Sequence, residues 1–207
     1  MSSRPIQIRK RDLAIELQRI NPPRNPKVRL EQYTIPANLA AEILFTACYI
    51  HDDIQAKLVA DLGTGTGRLA LGASILGAKY VIGVDIDKPS LKDARKAKEM
   101  LRATVDFVIG DFETIRGPVD TVLMNPPFGT KKAHADIEFL RHALRIANVV
   151  YSIHKSSTRE FLERWLIRHT FKMERIMVTR MDIPHQFSFH RKPDRAVEID
   201  VIRVTRP

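Results

Sequence analysis

The four residues Asn125-Pro126-Pro127-Phe128 are of types that could hold a flat amine. The side-chain oxygen of Asn125 and a backbone carbonyl beside Pro126 can each accept one N–H, which orients the lone pair of that nitrogen. Prolines fix φ and hold the carbonyl in place, and Phe128 can stack on a planar substrate. The four residues follow "VDTVLM", a run typical of a buried strand. We therefore predict a rigid acceptor site at the end of a core strand; a plain type I turn is the alternative.

Aspartates end three further apolar segments. Asp61 follows "KLVA", Asp85 follows "YVIGV" and Asp111 follows "FVIG". Because ligands of open parallel sheets bind outside the carboxyl ends of the strands, we expect the three acids to line one crevice. Asp85 stands about 20 residues beyond Gly63, where a carboxylate can accept hydrogen bonds from both hydroxyls of a ribose. A charge at a helix N-terminus is the alternative for Asp85 or Asp87.

A glycine-rich turn lies between the first of these strands and the helix after it. In "ADLGTGTGRLALG" the glycines are Gly63, Gly65 and Gly67. Glycines there let a ligand approach the backbone and leave helix N–H groups accessible to it. The spacing G-x-G-x-G is not the dinucleotide spacing G-x-G-x-x-G. Together with the acids, the turn indicates a crevice for hydroxyl, amine and positively charged groups rather than for a diphosphate.

Strand-like and helix-like segments alternate along most of the chain. Residues 8–20 and 36–50 have helical patterns, separated by a basic, Pro-rich connector. Apolar strands and amphipathic helices then alternate, and the last two strands, "MERIMVTRMDI" and "VEIDVIRV", are joined without a helix. This predicts an α/β fold with a mostly parallel seven-stranded sheet, helices on both faces and an antiparallel C-terminal hairpin. We divide the chain into an N-terminal helix and connector, 1–29, and a main domain, 30–207.

The composition favours a polyanionic partner. The formal net charge is +10, which favours nucleic acid over a membrane, although a basic but passive surface is the alternative. The single cysteine, Cys48, excludes an internal disulfide framework and a multi-cysteine zinc site, and we expect no metal. The sequence has no apolar stretch of about 20 residues and no signal-peptide pattern at its N-terminus. We therefore expect a soluble, cytoplasmic protein.

With its glycine turn, strand-end acids and Asn-Pro-Pro-Phe motif, the sequence resembles the Rossmann-like class I methyltransferases that use S-adenosylmethionine. In that family, this motif after the fourth strand marks methyl transfer to a planar NH₂ or amide nitrogen. The resemblance implies that Asn125, Pro126, Pro127 and Phe128 are catalytic. Adenine-N6, cytosine-N4 and protein glutamine remain open as acceptors on the motif alone.

Longer stretches resemble one family, the small-subunit rRNA adenine-N6 methyltransferases that include methyltransferase-like protein 5 of animals and archaeal relatives. The stretches are "LEQY" at 30–33, "ADLG" at 60–63, "GVDID" at 83–87, "DTVLMNPPFGTK" at 120–131, "VYSIHKSSTRE" at 150–160 and "VEIDVIRV" at 197–204. This resemblance implies N6-methylation of an adenosine in small-subunit ribosomal RNA. A DNA adenine-N6 methyltransferase, a protein glutamine-N5 methyltransferase and an RNA chaperone without catalysis are the alternatives.

The resemblance also implies a set of cofactor-binding residues. Gln32 would contact the cofactor from the N-terminal segment, Asp85 would bind the ribose, and Asp111 with Phe112 would form the adenine pocket. The family often has a small apolar residue where this chain has Arg68, so we expect Arg68 to contact the cofactor through its backbone. The complete predicted set is Gln32, Asp61, Gly63, Gly65, Thr66, Gly67, Arg68, Asp85, Asp111 and Phe112.

Basic and aromatic residues near the motif predict a path for RNA, because lysine and arginine neutralise phosphates and aromatic rings stack on bases. A solvated charge run is the alternative. In "SSTRE" we expect Ser157 and Glu160 to form a helix capping box. The predicted RNA-binding residues are Lys131, Lys132, Lys155, Phe189, Arg191 and Lys192.

The third strand is expected at an edge of the sheet. Within Val105–Ile109, its apolar residues Val105, Phe107, Val108 and Ile109 suit pairing with an added strand. The resemblance implies a small zinc-containing, Trm112-like activator as the partner that would add this strand. A short, tolerated edge strand is the alternative.

Overall fold

The computed structural model of the protein describes residues 8–128, 135–183 and 195–207. Its strands are β1 (Leu58–Leu62), β2 (Tyr80–Asp85), β3 (Asp106–Ile109), β4 (Val119–Met124), β5 (Ala147–Lys155), β6 (Lys172–Ile183) and β7 (Arg195–Thr205). Its helices are α1 (Lys10–Gln18), α2 (Ala37–Phe45), α3 (Arg68–Ile75), α4 (Lys88–Leu101), α5 (Ala135–Ile146) and α6 (Arg159–Arg168). Short helical turns span Val28–Leu30, Thr46–Ile50, Phe112–Thr114 and Ser156–Thr158.

The strands of the described residues form one seven-stranded sheet in the order β3-β2-β1-β4-β5-β7-β6. From β3 to β5, neighbouring strands run parallel. Strand β7 is antiparallel to both β5 and β6. The predicted fold class, including the antiparallel C-terminal hairpin, is therefore confirmed.

Helices cover both faces of the sheet because successive strand residues point to opposite sides. On one face, Val59 of β1 belongs to a core with Leu13 of α1 and Leu71 of α3. On the other face, Ala60 packs in a core with Leu140 of α5. The predicted helix over 36–50 is α2 followed by a π-helical turn.

The N-terminal segment packs closely on the rest of the chain. Leu13 and Leu17 of α1 are fully buried, in the core that also contains residues of α2 and α3. The division at residue 29 stays a prediction. No helix among the described residues is both long and apolar enough to cross a membrane.

Strand β3 lies at an edge of the sheet, as the sequence predicts. Ile109 is 45% exposed, whereas Val105 before the strand is buried. The ring of Phe107 lies against the glycine turn, so that a Cβ on Gly67 would stand 2.8 Å from its Cζ. The edge strand therefore supports the turn through one side chain.

The predicted capping box of Ser157 and Glu160 is wrong. Helix α6 has Thr158 at its N-cap and no side-chain capping bond. A carboxylate from β7 organises this turn instead, because Asp200 accepts hydrogen bonds from Ser156 Oγ (2.6 Å) and from Arg159 (2.6 and 2.7 Å).

Candidate active site

A cavity of about 290 Å³ lies at the carboxyl ends of the central strands. Three groups of residues form its wall: the segment before α2, the strand-end acids with the glycine turn, and the end of β4 with the start of α5. Its lining includes Leu30, Glu31, Gln32, Tyr33, Thr34, Ile35, Asp61, Gly63, Thr64, Gly65, Thr66, Arg68, Asp85, Gly110, Asp111, Phe112, Asn125, Pro127, Ala135, Glu138 and Phe139. Strand ends that are far apart in sequence thus meet at one crevice, as expected for an open parallel sheet.

The glycine turn has a backbone that favours glycine at each of its three positions. The φ angles are 71° at Gly63, 56° at Gly65 and 85° at Gly67, all in the left-handed region. A Cβ on Gly65 would meet no atom within 4 Å. Gly65 lines the cavity, whereas Gly67 packs against Phe107 and does not line it.

Asp61 supports the turn from inside. Its Oδ2 accepts hydrogen bonds from Thr64 Oγ1 (2.6 Å) and from the backbone N–H of Ala70 in α3 (3.0 Å). The side chain is 2% exposed. This burial raises the pKa of Asp61 to about 7, and the nearby carboxylate of Asp85 adds to the effect. Asp61 therefore titrates near neutral pH.

The structure separates the roles of Asp85 and Asp87. Asp85 lines the cavity and accepts hydrogen bonds from the N–H groups of Gly65 (2.7 Å) and Asp87 (2.8 Å). Burial raises its pKa. Asp87 is instead the N-cap of α4 and accepts from Ser90 N (3.1 Å). Although its burial acts in the opposite direction, hydrogen bonds from Lys27 and Ser90 lower the pKa of Asp87 to about 2. The sequence allows either Asp85 or Asp87 to be a charge at a helix N-terminus. The structure gives that position to Asp87, at the start of α4.

Three further residues that the sequence predicts to bind the cofactor, Gln32, Asp111 and Phe112, also line the cavity. Asp111 is exposed and caps a short helical turn, accepting from Glu113 N (3.2 Å). The ring of Phe112 packs 4.0 Å from that of Phe139, centroid to centroid. The side chain of Gln32 is used within the protein, because its Oε1 accepts from the backbone N–H of Lys27 (2.7 Å).

Arg68 makes contacts that the sequence does not predict. Its guanidinium donates hydrogen bonds to the backbone carbonyls of Ile20 and Ile35. The residue is 8% exposed, and burial lowers its pKa. Its Nε has no hydrogen-bond partner among the described residues. Arg68 therefore fastens the segment before α2 to the glycine turn and leaves one buried donor unused.

The side-chain amide of Asn125 has a defined orientation. Its Nδ2 donates to the backbone carbonyl of Tyr33 (3.0 Å), an atom that can only accept. The amide oxygen must therefore be Oδ1, and this buried atom has no hydrogen-bond partner among the described residues. A buried carbonyl oxygen without a donor costs free energy until a donor reaches it. Asn125 is thus prepared to accept one N–H.

The other three residues of the motif lie at different depths. Pro127 lines the cavity, and Pro126 is buried beneath it. Phe128 is 7% exposed and does not line the cavity. Its ring centroid lies 5.7 Å from that of Tyr33 at an interplanar angle of 22°, and Lys155 Nζ lies 5.5 Å from it. The sequence predicts that Phe128 stacks on a planar substrate. In this structure its ring stacks on that of Tyr33 instead.

Comparisons with known proteins identify the family. The Methyltransferase small domain family matches residues 39–148. The rRNA N6-adenosine-methyltransferase METTL5 of Danio rerio is 40% identical over 196 residues, which cover 91% of this chain and 95% of the fish protein. This chain belongs to the METTL5 family. Mettl5 of Drosophila melanogaster is 36% identical over 205 residues, covering 95% of this chain and 96% of the fly protein.

The fold agrees with this METTL5-family assignment. The crystal structure of PH1948 from Pyrococcus horikoshii superposes with a TM-score of 0.87 at 43% identity, covering 97% of this chain and 99% of that one. The protein is therefore a methyltransferase with the Rossmann-like fold that the sequence predicts.

Some residues predicted for this METTL5-family site lie outside the described residues: Lys131, Lys132, Phe189, Arg191 and Lys192. Lys155 is described and half-buried beside Phe128. Tyr33 is the residue that the sequence reasoning missed. Its position directly after Gln32 within "LEQY" is the signal that could have found it.

Proposed function

We propose that this METTL5-family protein transfers a methyl group from S-adenosylmethionine to N6 of an adenosine in small-subunit rRNA. The buried Oδ1 of Asn125, which has no hydrogen-bond partner in the described part of the chain, is the observation that supports the acceptor assignment most strongly. The METTL5 relatives, which match over nearly the full length, support the base and the class of RNA. The net charge of +10 suits a polyanionic substrate.

The cavity residues fit S-adenosylmethionine, which when bound supplies a methyl group on a positively charged sulfur. Gly65 has open space beyond its α-carbon, so the cofactor can approach the backbone there. Asp85 keeps lone pairs for the ribose hydroxyls, since each carboxylate oxygen accepts one main-chain N–H. We assign the adenine end to Asp111 and Phe112. We assign the methionine end to Asp61, Gly63, Gly65, Thr66 and Arg68, while Gly67 would serve it by keeping the backbone of the turn in shape.

Gln32 and Arg68 would also support cofactor binding indirectly, by holding the N-terminal segment of the cavity wall in place. The side chain of Gln32 holds residue 27 in place, and Arg68 holds Ile20 and Ile35. Both side chains therefore fix the segment that closes one wall of the cavity. The positive charge of Arg68 and its buried Nε, which has no hydrogen-bond partner among the described residues, suit an anionic group at the methionine end.

The acceptor nitrogen would be oriented by two hydrogen bonds from its amine to the protein. Asn125 Oδ1 accepts one N–H, and a backbone carbonyl beside Pro126 accepts the other. Together they turn the lone pair of the nitrogen toward the methyl group. Phe128 gives the flat base a ring to stack on. A strong base is not needed, because a methylated, cationic nitrogen loses its proton readily.

The RNA would approach over the surface around Lys155. Lys155 lies beside Phe128, where its ammonium can meet a phosphate. Lys131, Lys132, Phe189, Arg191 and Lys192 remain predicted contacts of the same path. We place the reaction in the cytoplasm.

The deciding experiment identifies the methylated product. Labelled methyl from S-adenosylmethionine is offered to total RNA, DNA and protein from cells that lack this gene, and the digested products are identified by mass. We expect label in N6-methyladenosine of small-subunit rRNA. Label in DNA adenine or in protein glutamine would leave the fold and cofactor standing and would overturn the RNA assignment.

A Trm112-like activator would add a strand along β3, the edge at which Ile109 is 45% exposed. We expect the two proteins to co-elute in size-exclusion chromatography, and we expect Ile109→Glu to weaken this complex because a charge disfavours strand addition. Val178→Glu is the matched control, since Val178 is also 45% exposed and lies in β6 at the opposite edge. Separate elution of the unmodified proteins would count against the partnership.

A further inference from the structure

Tyr33 joins two residues of the catalytic motif. Its backbone carbonyl accepts the amide N–H of Asn125 at 3.0 Å, and its ring faces that of Phe128 at 5.7 Å and 22°. Tyr33 also lines the cavity that reaches the glycine turn. The residue is thus part of the acceptor end of the site through both its main chain and its side chain.

The two rings are too close to hold a base between them as they stand. Stacked bases are separated by about 3.4 Å, so a base between two parallel rings needs about 6.8 Å. The ring centroids are 5.7 Å apart, and the ring planes can be no farther apart than that, so the rings must separate by at least about 1 Å. Phe128 is 7% exposed, and Asn125 Oδ1 is buried. A substrate can therefore reach Phe128 and Asn125 only after a neighbouring group moves.

The main chain of Tyr33 is held by hydrogen bonds that do not involve its ring. The Tyr33 N–H donates to Glu31 O at 2.8 Å, and its carbonyl is held by Asn125. The neighbouring Gln32 is bonded to Lys27 N at 2.7 Å. A change of the Tyr33 side-chain rotamer displaces the ring and does not require these main-chain contacts to break.

We propose that Tyr33 is the second aromatic wall of the acceptor site, a positioning residue that clamps the target base against Phe128. The proposal rests on the proposed RNA adenine methylation and extends it. The flat base would enter between the two rings while its exocyclic amine meets Asn125 Oδ1. Because the carbonyl of Tyr33 holds the amide of Asn125, one residue sets both the plane of the base and the direction of the acceptor oxygen.

This arrangement selects for a fused, planar heteroaromatic amine. Two facing rings stabilise such a base on both sides, whereas the primary amide of a glutamine side chain presents little area to either ring. The clamp thus favours adenine over protein glutamine by stacking, in addition to the hydrogen bonds at Asn125.

The experiment compares three variants by steady-state kinetics on rRNA from cells that lack this gene. Tyr33→Ala removes the ring and keeps the backbone carbonyl, while Tyr33→Phe keeps the ring. Tyr49→Ala is the matched control, because Tyr49 is another half-buried tyrosine, with its ring 4.7 Å from that of Phe45 in the helical region before β1. Cofactor affinity and thermal melting are measured for each.

Loss of a stacked ring is expected to lower kcat/KM for RNA about 10-fold to 100-fold in Tyr33→Ala. The KM for S-adenosylmethionine stays unchanged, and Tyr33→Phe stays within about threefold of the wild type. Full RNA activity in Tyr33→Ala would overturn the clamp, as would an equal defect in Tyr33→Phe or an equal loss of cofactor affinity. If the wild-type protein forms no N6-methyladenosine, the proposed function itself is overturned. That outcome is distinguishable from failure of the clamp, in which the wild type is active and Tyr33→Ala is equally active.

Discussion

The two ends of the cavity differ in how their polar groups are satisfied. At the end that we assign to the cofactor, Asp61 and Asp85 each accept two hydrogen bonds from the protein. At the end that we assign to the acceptor, Asn125 Oδ1 is buried and has no donor among the described residues, and the ring of Phe128 stacks on that of Tyr33. The cofactor end is thus organised before any ligand binds, whereas the acceptor end is completed by its ligand.

This difference has a simple physical consequence. A preformed turn loses little conformational entropy when the cofactor binds, so most of its contact energy appears as affinity. A buried oxygen that lacks a donor among the described residues gains a hydrogen bond when the amine of a bound substrate reaches it. Substitutions at the two ends should therefore separate into effects on cofactor KM and effects on turnover.

The largest effect is expected for Asn125→Ala, which removes the unpartnered oxygen. Loss of one preorganised hydrogen-bonding group at a reacting centre costs about 10²-fold to 10³-fold in kcat. Cofactor affinity should remain close to that of the wild type, as measured by calorimetry. Asn21→Ala is the control, because Asn21 also precedes two prolines but is exposed and does not line the cavity. Equal loss of activity in both variants would contradict the assignment.

A smaller and opposite pattern is expected for Asp85→Asn. The neutral amide weakens the charged hydrogen bonds available to the ribose hydroxyls, so the KM for S-adenosylmethionine should rise about 10-fold or more. The kcat at saturating cofactor should change little. The exposed Asp182 of β6 provides the control variant Asp182→Asn. A fall in kcat without a change in cofactor KM would break the distinction between the two ends.

The smallest expected effect is a pH dependence of stability caused by Asp61. Its pKa of about 7 is above the unfolded value of about 3.9, so ionisation of Asp61 destabilises the folded state. This unfavourable contribution is absent below about pH 4, grows as the pH rises and stops growing above about pH 7. Relative to Asp61→Asn, the wild-type melting temperature should fall between about pH 5 and pH 7. Parallel melting curves for the two proteins would contradict the prediction.

Sequence reasoning succeeded where the signal is local. Asp85 and the glycine turn are found because strand periodicity and short spacings place them at one edge of the sheet. Such patterns depend on neighbours only a few residues away, and the sheet then brings the strand ends together.

Sequence reasoning failed where a side chain contacts a residue that is distant in the sequence. The capping box at Ser157 is replaced by contacts to Asp200, which arrives from β7. The contact of Tyr33 with Asn125 joins residues 92 positions apart. No local pattern encodes such pairs, because the packing of the whole sheet decides which side chains meet.

Arg68 has a consequence for how the chain acquires its structure during synthesis. Residue 20 leaves the ribosome well before residue 68, whose guanidinium holds the carbonyl of Ile20. The first helix therefore lacks this anchor until α3 has been made, and it completes its docking afterwards. The N-terminal segment is therefore translated early but cannot form its contact with Arg68 until α3 has been made. The cavity wall that this segment supports is complete only after that contact has formed.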